Sequence, residues 1–218
     1  MQPKTKILLV DDHPLVLEWL ANLINEEPDL EVCSQAGNTR EALGLIGTLL
    51  PRIVVVDISL DGGSGLELIK DVKAAHPKVD MIVLSMHDEM LYAERAMRAG
   101  AAGYVMKREA TDKVLEAIRA VLQGSHYFSN AVNAMLAQKL VQGTGDQPTA
   151  IAALSDRELE VFQLLGRGYS TRQISEQMNV GFKTVHAYCA RIKEKLNLAN
   201  IHELVFHAVR WHESQQPR

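Results

Sequence analysis

Short apolar runs alternate with segments of helical periodicity along the first 125 residues. The runs fall at Ile7 to Val10, Leu30 to Ser34, Ile53 to Val56, Met81 to Leu84 and Gly103 to Met106, each of strand length. A helix-period segment follows each one. In the first of these Leu15, Trp19 and Leu23 recur at four-residue spacing and predict an apolar face; the second opens at Asn38, a capping residue, with Glu41 three positions on. Strand and helix alternating five times predict a doubly wound parallel sheet covered on both faces. In such sheets ligands bind beyond the carboxyl ends of the strands.

The pattern changes after Gly124. "SHYFSNAVNAMLAQKLVQ" is polar and then helix-forming, with Val132, Leu136 and Leu140 at four-residue spacing, and "GTGDQPT" breaks it with Gly143, Gly145 and Pro148. Residues 126–150 therefore read as a tethering helix and a flexible hinge between a domain at 1–125 and another at 151–218. The last segment has no strand pattern but four helical stretches. Ser155 with Glu158 and Ser170 with Gln173 make two capping-box pairs, and Val185, Cys189, Ile192 and Leu196 form a buried stripe on the third stretch. Two helices joined by a tight turn, the second longer and basic, read as a helix-turn-helix whose second helix enters the major groove. Opposite the stripe lie Lys183, His186, Ala187, Ala190 and Arg191. Lysine, histidine and arginine offer donors to base edges, and the two alanines permit close approach to a thymine methyl.

Composition sharpens this division. The 218 residues hold 23 Lys+Arg and 27 Asp+Glu, a net charge of -4, split as -6 over residues 1–125 and +2 over residues 151–218. The two halves thus expect different partners. Cys33 and Cys189 make neither a disulfide framework nor a zinc-ligand cluster and read as reduced thiols. The amino-terminal apolar run meets acids too soon for a signal or membrane segment, so a cytoplasmic location with no membrane partner is expected.

Chemistry gathers where the strands end. Asp11 and Asp12 follow the first strand, Asp57 the third, Ser85 the fourth and Lys107 the fifth, so three carboxylates, a hydroxyl and an ammonium meet at one sheet edge. A lone aspartate after a strand is usually a cap. Five such residues together suit a hard divalent cation, magnesium best, with the hydroxyl and ammonium free to bind phosphoryl oxygens. Asp57 is then placed as a nucleophile that accepts a phosphoryl group.

At these residues "LLVDDHP", "VVVDISL", "VLSMHDE" and "GYVMK" resemble the receiver domain of two-component response regulators, over the whole of residues 5–124. The resemblance implies a flavodoxin-like five-stranded receiver with Asp57 as phosphoacceptor. It also implies Mg2+ held by Asp12, Asp57 and the backbone carbonyl of Ser59, with Asp11 supporting through water. Ser85 and Tyr104 fall on the family's switch positions. Two departures stand out: Asp61 replaces a common proline and should make its loop more flexible, and Met86 replaces a small residue, either narrowing access to the site or merely packing there. Similarly, "LSDRELEVFQLLGRGYSTRQISEQMNVGFKTVHAYCARIKEKLNL" is similar to the LuxR-type DNA-binding domain, which adds Thr184 to the DNA-facing set. Together the halves resemble the NarL/FixJ family.

That resemblance implies a transcription regulator, not an enzyme, that takes its phosphoryl group from a sensor histidine kinase and binds double-stranded promoter DNA as a homodimer when phosphorylated. RNA polymerase is a further partner. Leu204, Val205 and Ala208 on the last helix are candidates for the dimer contact. A phosphatase working through an Asp57 phosphoenzyme is disfavoured because Ser59, not a second acid, stands two residues on. An interaction module without DNA binding is the remaining alternative, since His186 and Tyr188 depart from common recognition-helix residues.

Overall fold

A computed structural model describes residues 3–60, 63–142 and 150–215. The chain divides into two compact units, Met1–Val141 and Gln142–Arg218.

The strands of the first unit are β1 (Thr5–Val10), β2 (Leu30–Ala36), β3 (Ile53–Val56), β4 (Ser59–Leu60), β5 (Gly63–Ser64), β6 (Asp80–Ser85) and β7 (Gly103–Met106). Five of them form one parallel sheet in the order β2-β1-β3-β6-β7. Central β3 is buried at all four positions, as an IVVV run covered on both faces requires. Helices α1 (Pro14–Asn25), α2 (Thr39–Leu49), α3 (Gly65–Ala75), α4 (Glu89–Ala99) and α5 (Ala110–Leu122) connect the strands. On one face Ile7, Leu9, Ile53, Val55, Ile82 and Leu84 pack against α1 and α5. By the alternation of side chains along a strand, Leu8, Val10, Val54, Val56 and Val83 are buried on the other face, where α3 lies between α2 and α4.

One expectation needs correcting here. The buried face of α1 is Leu17, Leu20, Ala21 and Ile24, whereas Leu15 is 80% and Trp19 37% exposed; only Leu23 of the predicted stripe packs partly against the core. The row through Leu15 and Trp19 lies on the opposite side of this helix from Leu17, Leu20, Ala21 and Ile24, and the sheet takes the latter set. Beyond Asp57, β4 and β5 pair antiparallel through Ser59 with Ser64 and Leu60 with Gly63. Asp61 itself lies outside the described residues.

The segment after α5 packs on the first unit instead of leaving it. Tyr127 bridges to Gly103 in parallel register, its carbonyl accepting from the Tyr104 N–H (2.8 Å) and its N–H donating to Ala102 O (2.9 Å). A strap thus continues the sheet past β7. Phe128 and Val132 are buried, and Ser129 donates to Glu89 of α4 at 2.8 Å. A cleft of about 220 Å³ lies against the strap, lined in part by Glu89, Tyr104, Lys113 and Tyr127. The expected tethering helix is α6 (Asn130–Gln142), and the "GTGDQPT" hinge, residues 143–149, lies outside the described residues.

The second unit is helical throughout its described residues: α7 (Asp156–Gly166), α8 (Thr171–Gln177), α9 (Phe182–Leu196) and α10 (Ile201–Gln215), after a short turn of 3-10 helix at Ala150–Ala153. Both expected capping boxes form. Glu158 serves two ends at once, accepting from Ser155 N–H (2.7 Å) and from Lys195 Nζ (2.6 Å), and so pins α9 to the start of α7. Its carboxyl is buried, which acts to raise its pKa, yet Lys195 and the Ser155 bonds bring it below the ordinary value.

Helices α7 and α10 approach closely at Gly166, where a Cβ would sit 2.5 Å from the carbonyl oxygen of Ala208. This contact overturns part of the dimer assignment. Leu204 and Ala208 are fully buried within their own domain, so neither can meet a second copy; Val205 is half-buried, beside exposed Phe206.

Gly166→Ala should accordingly destabilise the second unit by about 1–3 kcal/mol through overpacking against α10. Urea unfolding in a Trp19→Phe background, read by the fluorescence of Trp211 whose ring lies 5.6 Å from Phe162, measures this.

Candidate functional site: an acidic cleft and a recognition helix

The end of β3 explains why the apolar run stops at an aspartate. Asp57 N–H donates to Val10 O (2.9 Å), extending the β1–β3 ladder by one rung and bringing the Asp57 and Asp11 carboxylates to adjacent strand ends. The chain then turns beneath Gly65, where a Cβ would stand 1.9 Å from the Asp57 carbonyl oxygen, so no larger residue fits. Asp57 is 5% exposed and Asp11 2%. Two buried carboxylates this close are costly unless paired.

Lys107 supplies the partner. Its Nζ lies 2.7 Å from Asp57 Oδ2 and 2.6 Å from Asp11 Oδ2. Burial acts to lower the lysine's pKa, but the two carboxylates outweigh it and hold the ammonium above its ordinary value. Burial likewise pushes the Asp57 carboxyl up, against the pull of Lys107. The lysine is placed by the 3-10 turn Lys107–Glu109 that follows β7.

The remaining oxygens test whether a cation fits. Asp57 Oδ1 and Asp12 Oδ1 are buried and accept no hydrogen bond from any described residue. His13 Nδ1 is 2.6 Å from Asp12 Oδ1, close enough for an ion pair though not aligned as a hydrogen bond, and 3.1 Å from Asp11 Oδ1. Buried carboxylate oxygens left without a hydrogen bond are hard donors of the kind that suit a divalent cation which keeps some of its water. Asp11, Asp12 and His13 alone bring three potential ligand atoms within 4.8 Å. Reading the sequence missed His13, although it directly follows the two aspartates.

Ser85 and Tyr104 stand on the next two strands. The Ser85 hydroxyl is buried and accepts from His87 N–H (3.2 Å), and the Tyr104 hydroxyl donates to His87 O (2.8 Å) with its ring 2% exposed. Burial raises the phenol's pKa, so it stays a donor. His87, which the sequence reading passed over, connects Ser85 and Tyr104; its ring Nε2 is 2.7 Å from Ser59 Oγ. Met86 is 69% exposed, so it does not simply pack against the domain.

In the second unit α9 buries Val185, Cys189 and Ile192, while Leu196 is half-buried. Lys183, Thr184, His186, Ala187, Ala190 and Arg191 are all exposed on it. The turn before α9 is held by Ser175 Oγ donating to Val180 O (2.7 Å), with Asn179 in the left-handed region (φ 46°). Exposed Phe182 meets the His186 ring edge-on at 4.3 Å and helps to orient it. Phenylalanine on a solvent face was not anticipated.

Residues 7–119 match the response regulator receiver domain, and residues 152–208 match the bacterial regulatory proteins of the luxR family. The chain is a two-component response regulator of the LuxR type. Within this NarL/FixJ family it is 36% identical over 203 residues to the transcriptional activator protein ExaE of Pseudomonas putida, covering 93% of this chain and 95% of that protein. It is 33% identical over 200 residues to BvgA of Bordetella pertussis, a virulence factors transcription regulator, covering 92% and 94%. A LuxR-family response regulator structure from Aurantimonas sp. SI85-9A1 superposes with a TM-score of 0.59 at 33% identity, over 63% of this chain and 99% of that one. RcsB of Salmonella typhimurium shares the fold at a TM-score of 0.67 and 22% identity, over 96% of this chain and 98% of that one. Among the described residues of this response regulator no helix is long and apolar enough to cross a membrane.

Replacing Lys107 by alanine should leave Asp11 and Asp57 facing one another without a cation, at a cost of about 3 kcal/mol at neutral pH. Since the folded pKa of Asp57 lies above its unfolded value, the folded state takes up the extra proton as pH falls, and the deficit should shrink. Urea unfolding of parent and variant at pH 7.5 and pH 5, without magnesium, measures both.

Proposed function

We propose that Asp57 is the phosphoacceptor of this response regulator and that its phosphorylation controls promoter binding. The observation that carries the assignment is the division of labour within one carboxylate: Asp57 Oδ2 is held by Lys107 while Oδ1 is buried with no hydrogen bond from a described residue. In the reaction an Asp57 oxygen forms a bond to phosphorus as the donor's P–O or P–N bond breaks, the donor keeping the electron pair. A sensor histidine kinase is the donor. Asp11, Asp12, Asp57 and the Ser59 carbonyl would hold Mg2+, which when bound neutralises charge between donor and acceptor. Lys107 then turns from Asp11 and Asp57 toward phosphoryl oxygens, and Ser85 donates its hydroxyl to another. Movement of Ser85 draws on His87, and through its carbonyl on the Tyr104 hydroxyl.

Output follows at α9, where Lys183, Thr184, His186, Ala187, Ala190 and Arg191 read the major groove of promoter DNA. One such domain binds weakly, and two on paired half-sites gain by effective concentration, so a homodimer formed on phosphorylation is the binding species. On α10 this leaves Val205, with exposed Ile201 and Phe206, as the apolar contact. Activation of transcription would bring RNA polymerase to the complex. Both Cys33 and Cys189 are free thiols, which suits the cytoplasm.

Asp57→Asn, isosteric but neither nucleophilic nor charged, should take up no phosphate from acetyl phosphate and magnesium; a mass gain of one phosphate in this variant would overturn the assignment. Retention of labelled promoter fragments, with and without acetyl phosphate, tests the output. Phosphate-dependent retention is expected, and phosphorylation without any retention would favour an interaction module that has lost DNA binding. Sedimentation of the two phosphorylation states should show monomer passing to dimer, and a dimer unchanged by phosphate would point to rearrangement within a standing dimer.

A further inference from the structure

His87 is held by several residues around the acidic cleft. Its N–H donates to Ser85 Oγ (3.2 Å), its carbonyl accepts from Tyr104 (2.8 Å), and its ring lies 4.5 Å from that of Tyr92. The fourth contact, ring Nε2 to Ser59 Oγ at 2.7 Å, reaches across the cleft to β4, two residues beyond Asp57. It joins the loop that leaves the acceptor to the loop that leaves Ser85. The β4 side of this contact is firmly placed, because Ser59 pairs with Ser64 and Gly65 N–H donates to Ile58 O at 2.8 Å.

We infer that His87 is a positioning residue whose bond to Ser59 holds the β6–α4 loop at rest and so sets how readily Asp57 accepts a phosphoryl group. The inference rests on Asp57 being the acceptor. Bringing the Ser85 hydroxyl onto a phosphoryl group at Asp57 either pulls the His87 backbone with it or breaks the 3.2 Å bond, and the Tyr104 hydroxyl bonded to the same residue must follow. The ring, anchored on β4, resists that shift. A chain without the anchor populates the shifted loop more often before any phosphate arrives, and its reaction rate rises in proportion to that population. Loss of one such hydrogen bond changes a population roughly two- to tenfold.

The test uses the full chain, acetyl phosphate as donor and magnesium, with phosphate incorporation followed by intact mass against time. An Asp57 oxygen bonds to phosphorus and acetate leaves with the electron pair of the broken P–O bond. His87→Ala and Ser59→Ala, which keeps the Ser59 carbonyl, should each react roughly two- to tenfold faster than the parent. The double variant should react no faster than the faster single, because both remove the same bond. His87→Gln, whose amide nitrogen stands where Nε2 does, should return to the parental rate. A histidine that merely stabilises the fold would lower the melting temperature and leave the rate alone. Single-variant rates equal to or below the parent's, effects that multiply in the double variant, or a glutamine variant as fast as the alanine one would each overturn the inference. Labelling that persists in Asp57→Asn would instead sink the acceptor assignment on which it stands.

Discussion

One ammonium between two buried carboxylates governs the architecture of the first unit. Lys107 can sit between Asp11 and Asp57 only if β1 and β3 are neighbours in register and β7 closes the same edge, and the observed strand order provides this. Burying a charge cluster at a sheet edge costs several kcal/mol per ion, so the surrounding apolar strands must be secure enough to bear it. They are, since β3 and its neighbours are among the most buried residues of the chain. The arrangement is also poised. The cation that satisfies Asp57 at rest is the one best placed to follow charge on that carboxylate if, as proposed, it accepts a phosphoryl group.

The second unit solves a different problem with different means. Its described residues form no strand, and its helices are fixed at their ends: by two capping boxes, by the Glu158 bridge to Lys195, and by the close approach at Gly166. These interactions leave the outer face of α9 uncommitted. The exposed side chains proposed to meet a duplex are therefore spared most structural duty, and Phe182 with His186 is the exception in which one exposed residue orients another.

Much of this was legible in the sequence because strands buried on both faces leave an unbroken apolar record and because caps are local. All five sheet strands and the acids, hydroxyl and lysine beyond them lie where the runs end. What failed were judgements about which of two apolar rows faces inward. On α1 apolar residues stand on both sides, Leu15 and Trp19 on one and Leu17, Leu20 and Ile24 on the other, and the sheet takes the second. On α10 the choice of Leu204 and Ala208 as outward residues overlooked that a four-helix domain this small needs them in its core. His87 and Ser59, 28 positions apart, carry no joint signal in the sequence at all; their meeting is a property of the folded cleft.

The strap at Tyr127 redraws the limits of modularity in this chain. Cut after Gly124, the first unit would present β7 with the Tyr104 N–H and Ala102 carbonyl unpaired, beside apolar ground vacated by Phe128 and Val132. A bare edge of that kind is a template for strands of other chains. The segment that looks like the start of a tether is therefore the edge guard of the sheet before it. Grafting this receiver onto another output domain, or exchanging outputs between relatives, succeeds on physical grounds only when the junction falls beyond Asn133, whose side chain still donates to Phe128 O.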